Sequence, residues 1–353
     1  RPQTGPWCVA TGEAKRNPWK PISPKFPPRQ GWRNSNDEVS EMIDLGPIRE
    51  FYPFKSRFFN INGAQMHYVD EGDGPPIVFV HGNPTWSFYF RDLILGLRDR
   101  YRVIALDHIG CGLSDKPQNY PYTLATHIEN FSHLMDHLKL DRVTLGVHDW
   151  GGPIGLGWAT RNPHRVERLI IFNTAAFLGG KMPLRIRICG WPLLGDFLVR
   201  GFNGFCRAAI RMACKNKSRM TPEVAAGYLL PYDSWASRVA ILRFVQDIPF
   251  SPRVPSYAVF QELESKLVLL RDKPMTILWA MKDFCFTPAF LTQWVRRFPK
   301  AEVHRFEDAG HYVVEDAHER ILTILRSELE KAPETRGRES VALENADRFA
   351  ARS

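Results

Sequence analysis

Val147-His148-Asp149-Trp150-Gly151-Gly152 is the stretch whose reading decides the fold. A short apolar run, residues 143–147, leads into it, and a glycine-rich apolar stretch, residues 151–161, leads out. A run apolar on both faces suits a strand covered by helices on both sides. The stretch that follows has helical length, so the chain must turn sharply between them. An elbow at that point lifts one side chain above the C-terminal edge of the sheet, and small residues after it let backbones crowd together. The lifted residue here is Asp149. The plainer alternative is an aspartate capping the following helix.

Working outward, strands are expected at residues 64–70, 77–80, 102–107 and 168–173, with 143–147 among them. Leu124, Ile128, Phe131, Leu134, Met135 and Leu138 line one face of a helix, with Thr123 as its N-cap. Strand–helix alternation of this kind predicts an α/β protein with a mostly parallel central sheet flanked by helices. The alternation stops between residues 177 and 255, where helical and loop patterns replace strands. It resumes with a strand at 275–280, a helix at 288–298, a strand at 302–306 and a helix at about 315–331. The expected organisation is an irregular basic N-terminal arm at 1–45 and a core at 46–176 and 256–332. A helical cap at 177–255 interrupts the core, and a charged tail at 333–353 follows it.

The net charge of +9 is concentrated rather than spread. Residues 1–30 hold six basic residues against Glu13, and residues 185–219 hold eight against Asp196. Neither segment carries a nucleic-acid-reading motif, so no nucleic-acid partner is expected. The charge instead points to surfaces and assembly, including a homo-oligomer. Cys8, Cys111, Cys189, Cys206, Cys214 and Cys285 form no CxxC pair, which predicts reduced thiols and no metal site. No stretch approaches the length of a membrane helix. No signal-like block opens the chain, so the expected location is cytoplasmic. Gly110-x-Gly112 starts a dinucleotide-like loop, but Asp115 takes the third glycine position, and no cofactor is expected. The cap aromatics Phe197, Phe202, Phe205, Tyr228, Tyr232, Trp235 and Phe244 read as mainly core packing, with some roofing an apolar cavity over Asp149.

Two more turns place polar residues after strands: His81-Gly82-Asn83-Pro84 after 77–80, and Ala309-Gly310-His311-Tyr312 after 302–306. Asp283 lies between the elbow and His311, three residues past 275–280. Nucleophile, acid and histidine thus follow one another in the chain order that strand–elbow–helix catalysts use.

The blocks HGNPTWS (81–87), DHIGCGLSDKP (107–117), VHDWGG (147–152), WAMKDFCFTP (279–288) and DAGHYVVED (308–316) resemble the α/β-hydrolase superfamily, and within it the haloalkane dehalogenases. The resemblance spans roughly residues 46–330. It implies the α/β-hydrolase fold with a helical cap inserted after the sixth strand. It also implies Asp149 as nucleophile, His311 as base and Asp283 as the acid of the triad. Asn83 and Trp150 would bind halide, and their backbone N–H groups would form the oxyanion hole. An Asp-His-Asp triad with an Asn-Trp pair is the subfamily pattern this resembles. The strand before the insertion ends Phe172-Asn173-Thr174 without a carboxylate, which favours Asp283 as the acid.

Those residue types suit the chemistry independently. An aspartate attacking a saturated carbon leaves an ester that water can cleave, whereas a serine would leave an ether. Hydrolysis of a small apolar haloalkane to alcohol, halide and proton is the expected activity. Epoxide hydrolases share the aspartate elbow and need two cap tyrosines, for which Tyr228, Tyr232 and Tyr257 are available. A cofactor-independent luciferase-like monooxygenase and a non-catalytic ligand receptor on the same fold also remain compatible with the motifs.

Overall fold

The computed structural model describes residues 39–41, 45–180 and 183–331. Most of the basic arm and the whole charged tail lie outside the described residues. Among the described residues nine strands form one sheet: β1 (Val39–Glu41), β2 (Ser56–Ile61), β3 (Ala64–Glu71), β4 (Pro76–Val80), β5 (Arg102–Leu106), β6 (Val143–Val147), β7 (Val166–Phe172), β8 (Met275–Ala280) and β9 (Glu302–Phe306). Their order is β1-β2-β3-β5-β4-β6-β7-β8-β9. Pairing is antiparallel from β1 through β5 and parallel from there to β9. The protein has the α/β-hydrolase fold, a mostly parallel sheet flanked by helices.

The helices are α1 (Arg91–Leu97), α2 (Leu124–His137), α3 (Gly151–Arg161), α4 (Leu184–Cys189), α5 (Gly204–Met212), α6 (Pro222–Leu229), α7 (Val239–Gln246), α8 (Ser256–Lys266), α9 (Pro288–Arg297) and α10 (Val313–Glu330). On one face α2, α3 and α8 pack together; on the other α1 packs on α10. Every residue of β6 and β8 is buried, which is why these strands read as continuous apolar runs rather than alternating ones. Each fully buried Val, Leu or Ile contributes roughly 1.5–3 kcal/mol. The Thr123 hydroxyl accepts from Thr126 N–H and starts α2.

Three expectations need correction. The arm is not irregular throughout, because Val39–Glu41 adds an antiparallel edge strand to β2. That edge is short and supported by one neighbour, so its three residues carry little pattern of their own. The insertion follows β7, the seventh strand when β1 is counted and the sixth without it. The cap aromatics do not all pack inward: Phe197, Phe202 and Trp235 are exposed, whereas Tyr228, Tyr232 and Phe244 are buried. Composition alone does not show which face of an irregular segment an aromatic takes.

Between β7 and α8 the chain forms α4, α5, α6 and α7 with no strand among its described residues. This segment is tied to the core at named points. Tyr228 donates to Glu315 at 2.6 Å, and Glu315 also pairs with buried Arg91. Asp316 accepts from the Lys215, Asn216 and Gly310 N–H groups at 2.7 to 2.9 Å.

Candidate active site

The order β5-β4-β6 places the first parallel strands at the middle of the sheet, where connections diverge to either side. Ligands bind outside the carboxyl ends of strands at such a switch point. Asn83 follows β4, Asp149 follows β6, Asp283 follows β8 and His311 follows β9. Four loops distant in sequence therefore meet above one sheet edge.

Asp149 holds the elbow itself, with a positive φ of 50°. Its N–H donates to Asn173 O at 3.0 Å. The turn is possible only because α3 starts against β4: a Cβ on Gly151 would stand 1.9 Å from Val80 O. Asp149 Oδ1 accepts from Asn83 N–H at 2.7 Å, and the Trp150 N–H adds a second backbone bond to the carboxylate. Oδ2 faces His311 Nε2 at 3.8 Å. Oδ1 thus accepts from a backbone donor and Oδ2 faces the His311 ring. Burial raises the Asp149 pKa above the usual carboxylate value, while His311 and the two N–H groups hold it down.

His311 Nδ1 bonds Asp283 Oδ2 at 2.8 Å. The other oxygen of Asp283 accepts from Cys285 and Phe286 N–H at 2.6 and 3.1 Å. Burial by itself would depress the imidazole, but the charge and hydrogen bond of Asp283, with Asp149 beyond, raise its pKa above the ordinary histidine value. The buried His148 ring bonds His311 O at 2.9 Å, and burial keeps His148 itself neutral. Asp316 anchors the same loop through Gly310 N–H.

Two cavities of about 180 and 150 Å³ border this carboxylate. They share Asp149, Trp150, Ile186, Ile248 and Cys285 as walls. The first continues past Phe177, Phe260 and Phe290 toward Phe250. The second runs past Asn83 and His311 beneath Phe205, Ala209 and Met212 of the cap. Asn83 Nδ2 donates to Ile241 O at 3.2 Å, and its buried Oδ1 has no partner.

All five residues singled out in the sequence therefore converge: Asp149 with Trp150, Asp283 with His311, and Asn83 across from the elbow. Sequence reasoning missed Arg185 and Cys285. Arg185 borders the second cavity with its guanidinium 4.2 Å over Phe284; it lies in the cap, whose pattern marks helices but not lining positions. Cys285 was visible inside the 279–288 block, yet nothing in its spacing distinguished it. Burial pushes its thiol pKa well up, so it stays protonated. Asp283, Cys285 and His311 bring ligand-type atoms within 4.8 Å of one another, but Asp283 and His311 are already bonded to each other.

The fold and this arrangement define an α/β-hydrolase-type enzyme with a carboxylate at its elbow. A family model described as alpha/beta hydrolase fold matches residues 75–187. A Shewanella oneidensis protein named cis-3-alkyl-4-alkyloxetan-2-one decarboxylase is 44% identical over 280 residues, spanning 78% of this chain and 88% of that protein. Haloalkane dehalogenase 2 of Mycobacterium tuberculosis is 33% identical over 286 residues, 80% of this chain and 98% of that protein. The solved haloalkane dehalogenase DatA of Agrobacterium tumefaciens superposes with a TM-score of 0.69 at 29% identity, covering 79% of this chain and 97% of that one. The chain belongs to the haloalkane dehalogenase family of the α/β-hydrolase superfamily. No helix among the described residues is long and apolar enough to cross a membrane.

Proposed function

We propose that Asp149 is a nucleophile toward saturated carbon and that the substrate is a β-lactone bearing two alkyl chains, which is decarboxylated to an alkene. The observation that carries this reading is the pair of apolar cavities bordering one carboxylate. A substrate with a single chain needs one such arm; a ring substituted at adjacent carbons needs two. The 44% identity to a protein named for that reaction supports it.

The steps balance without water. Asp149 Oδ2 attacks the ring carbon that carries the ring oxygen, from the face opposite that oxygen. The carbon–oxygen bond breaks, and its electron pair leaves a carboxylate on the substrate. The bond from that carboxylate to the adjacent carbon then supplies the electrons of the new double bond. Carbon dioxide departs, and the Asp149 ester bond breaks to restore the enzyme carboxylate. Inversion followed by anti departure keeps the two alkyl groups cis. Asn83 and Trp150 side-chain donors would receive the departing oxygen, and a protonated His311 would stabilise Asp149 as a leaving group.

Haloalkane hydrolysis is the second reading, favoured by the Asn83 side chain bordering the cavity beside Trp150. There Asp149 displaces halide, and His311, oriented by Asp283, deprotonates water that attacks the ester carbon. The oxyanion forms on Oδ1, between the Asn83 and Trp150 N–H groups. Epoxide opening lacks support, because no tyrosine borders either cavity. Tyr228 is committed to Glu315, and the Tyr232 hydroxyl accepts from Gly112 N–H.

The two readings separate in ¹⁸O-water. A cis-dialkyl oxetan-2-one should yield cis-alkene with no label entering Asp149 over many turnovers. A bromoalkane hydrolysed by the second route labels the Asp149 carboxylate, which mass spectrometry detects. Halide release together with no alkene from the lactone would overturn the first reading.

A further inference from the structure

Eight of the eleven exposed large apolar side chains among the described residues lie between Leu184 and Phe250. Five of them follow one another between Trp191 and Phe202 in the cap. Trp191, Leu193 and Leu194 follow directly on α4, with Leu193 84% exposed. One turn further on, the Phe197 and Phe202 rings meet edge to face at 4.7 Å. Phe197 and Trp235 both approach the same Gly201. An exposed patch of this kind on a cap outside the catalytic walls marks an interaction surface rather than a packing fault.

The charge around it says what kind of surface it meets. Residues 185–219 carry eight basic residues and one acid, and that acid, Asp196, pairs with Arg200. The Arg200 guanidinium also lies 4.6 Å over the Trp235 ring, inside the patch. Arg187 on α4 and Arg207 on α5 are exposed. Apolar tips set among cations match a bilayer whose headgroups are anionic. A second copy of the chain would bring the same cationic face against itself, which costs free energy.

We propose that this cap face docks on an anionic lipid surface, with Leu193, Phe197, Phe202 and Trp235 entering the acyl boundary and arginines meeting phosphates. The geometry also sets the direction of traffic. Phe250 is exposed and at the same time borders the first cavity, as does Pro183 beside exposed Leu184. Docking therefore turns a mouth of the catalytic cavity toward the lipid. A substrate with two alkyl chains partitions into that phase, and this last step rests on the lactone reading; the docking does not.

The test is flotation of the full chain with phosphatidylcholine vesicles, with and without a third of phosphatidylglycerol. The protein should float with the anionic vesicles and be released by high salt. Replacing Leu193→Glu and Phe197→Glu together should cut the bound fraction about tenfold. Arg187→Gln and Arg207→Gln should each weaken binding to anionic vesicles about fivefold. Neither pair borders a cavity, so turnover of a short-chain substrate should be unchanged, which also shows that the variants fold. A wild-type chain that ignores anionic vesicles would overturn the proposal, as would variants that bind them equally well. A change in oligomeric size in the glutamate variants, with no vesicle binding by the wild type, would assign the face to a contact between copies. Failure of any of these leaves the active-site reading standing, because that reading is tested by product and label.

Discussion

Asp149 is held in a conformation and an environment that both oppose its stability. Its backbone has positive φ, its carboxyl is largely removed from water, and burial raises its pKa. A carboxylate with a raised folded-state pKa favours folding at low pH and loses that contribution as pH rises through the folded value. At neutral pH it is therefore a net cost. Asp149→Asn keeps an acceptor for the Asn83 and Trp150 N–H groups while removing the buried charge. The variant should melt higher, by about 1 kcal/mol of stability, with no detectable turnover; calorimetry and product assay check both. His311 shifts in the same direction for a different reason. Its imidazolium is stabilised chiefly by Asp283 against the opposing effect of burial. That stabilisation is present below its unfolded value near ~6.5 and is lost as pH rises through the higher folded value. Stability should fall across that window, and His311→Gln should flatten the fall. The residue types of this site were legible in the sequence, since Asp149 and Asp283 each sit just past an apolar run and His311 lies in the turn after the expected strand at 302–306. The division of labour between the two Asp149 oxygens was not, because it depends on where the Asn83 N–H and the His311 ring stand in space.

The elements that carry the site were read nearly to the residue where they are buried. Residues 143–147 and 275–280 match β6 and β8, and 151–161 matches α3; 302–306 matches the edge strand β9 as well, although only its Phe306 is buried. A strand covered on both faces admits only apolar residues, so its limits are written in composition. Other elements are harder to read. β2 is not among the strands expected from the sequence, although it alternates buried and partly exposed positions from Ser56. α8 lies within the expected core without being identified as a helix, because its apolar face is narrow: only Ser256, Phe260 and Leu263 are buried. The most restrictive element boundary is the start of α3. Gly151→Ala would put a methyl group into Val80 O at 1.9 Å, and main-chain atoms on both sides leave no flexible side chain to yield. The substitution should destabilise by more than about 3 kcal/mol and abolish activity, as thermal melts and turnover would record. At Gly179 a Cβ would meet open space, and there the positive φ of 99° rather than a clash opposes a side chain.

At the scale of the molecule, the cap and the core together make what neither contains alone. The second cavity lies between the core residues Asn83 and His311 and the cap residues Phe205, Ala209 and Met212. Chain-length preference is therefore a property of the joint. Ala209→Phe should fill that arm and lower turnover of long-chain substrates at least tenfold while sparing short ones. The reasoning is that each excluded methylene forfeits about 0.8 kcal/mol of burial; a kcat/KM series over chain length measures it. The Arg91–Glu315–Tyr228 contact and the Asp316 clasp hold the joint in register. They also bind the His311 loop to the cap, so changes in the cap reach His311 without touching it.

The sequence by itself determined the alternation of strands and helices, the elbow at Asp149, the order of the catalytic candidates and the position of the insertion. These follow from local periodicity and from glycines that a close backbone approach requires. Tertiary structure alone decided which cap aromatics face outward, that Arg185 and Cys285 line cavity walls beside Asp149, and that two apolar arms meet there. Local pattern reports which residues avoid water, not which surfaces they share; a cavity is defined by residues far apart in the chain, and only packing brings its walls together.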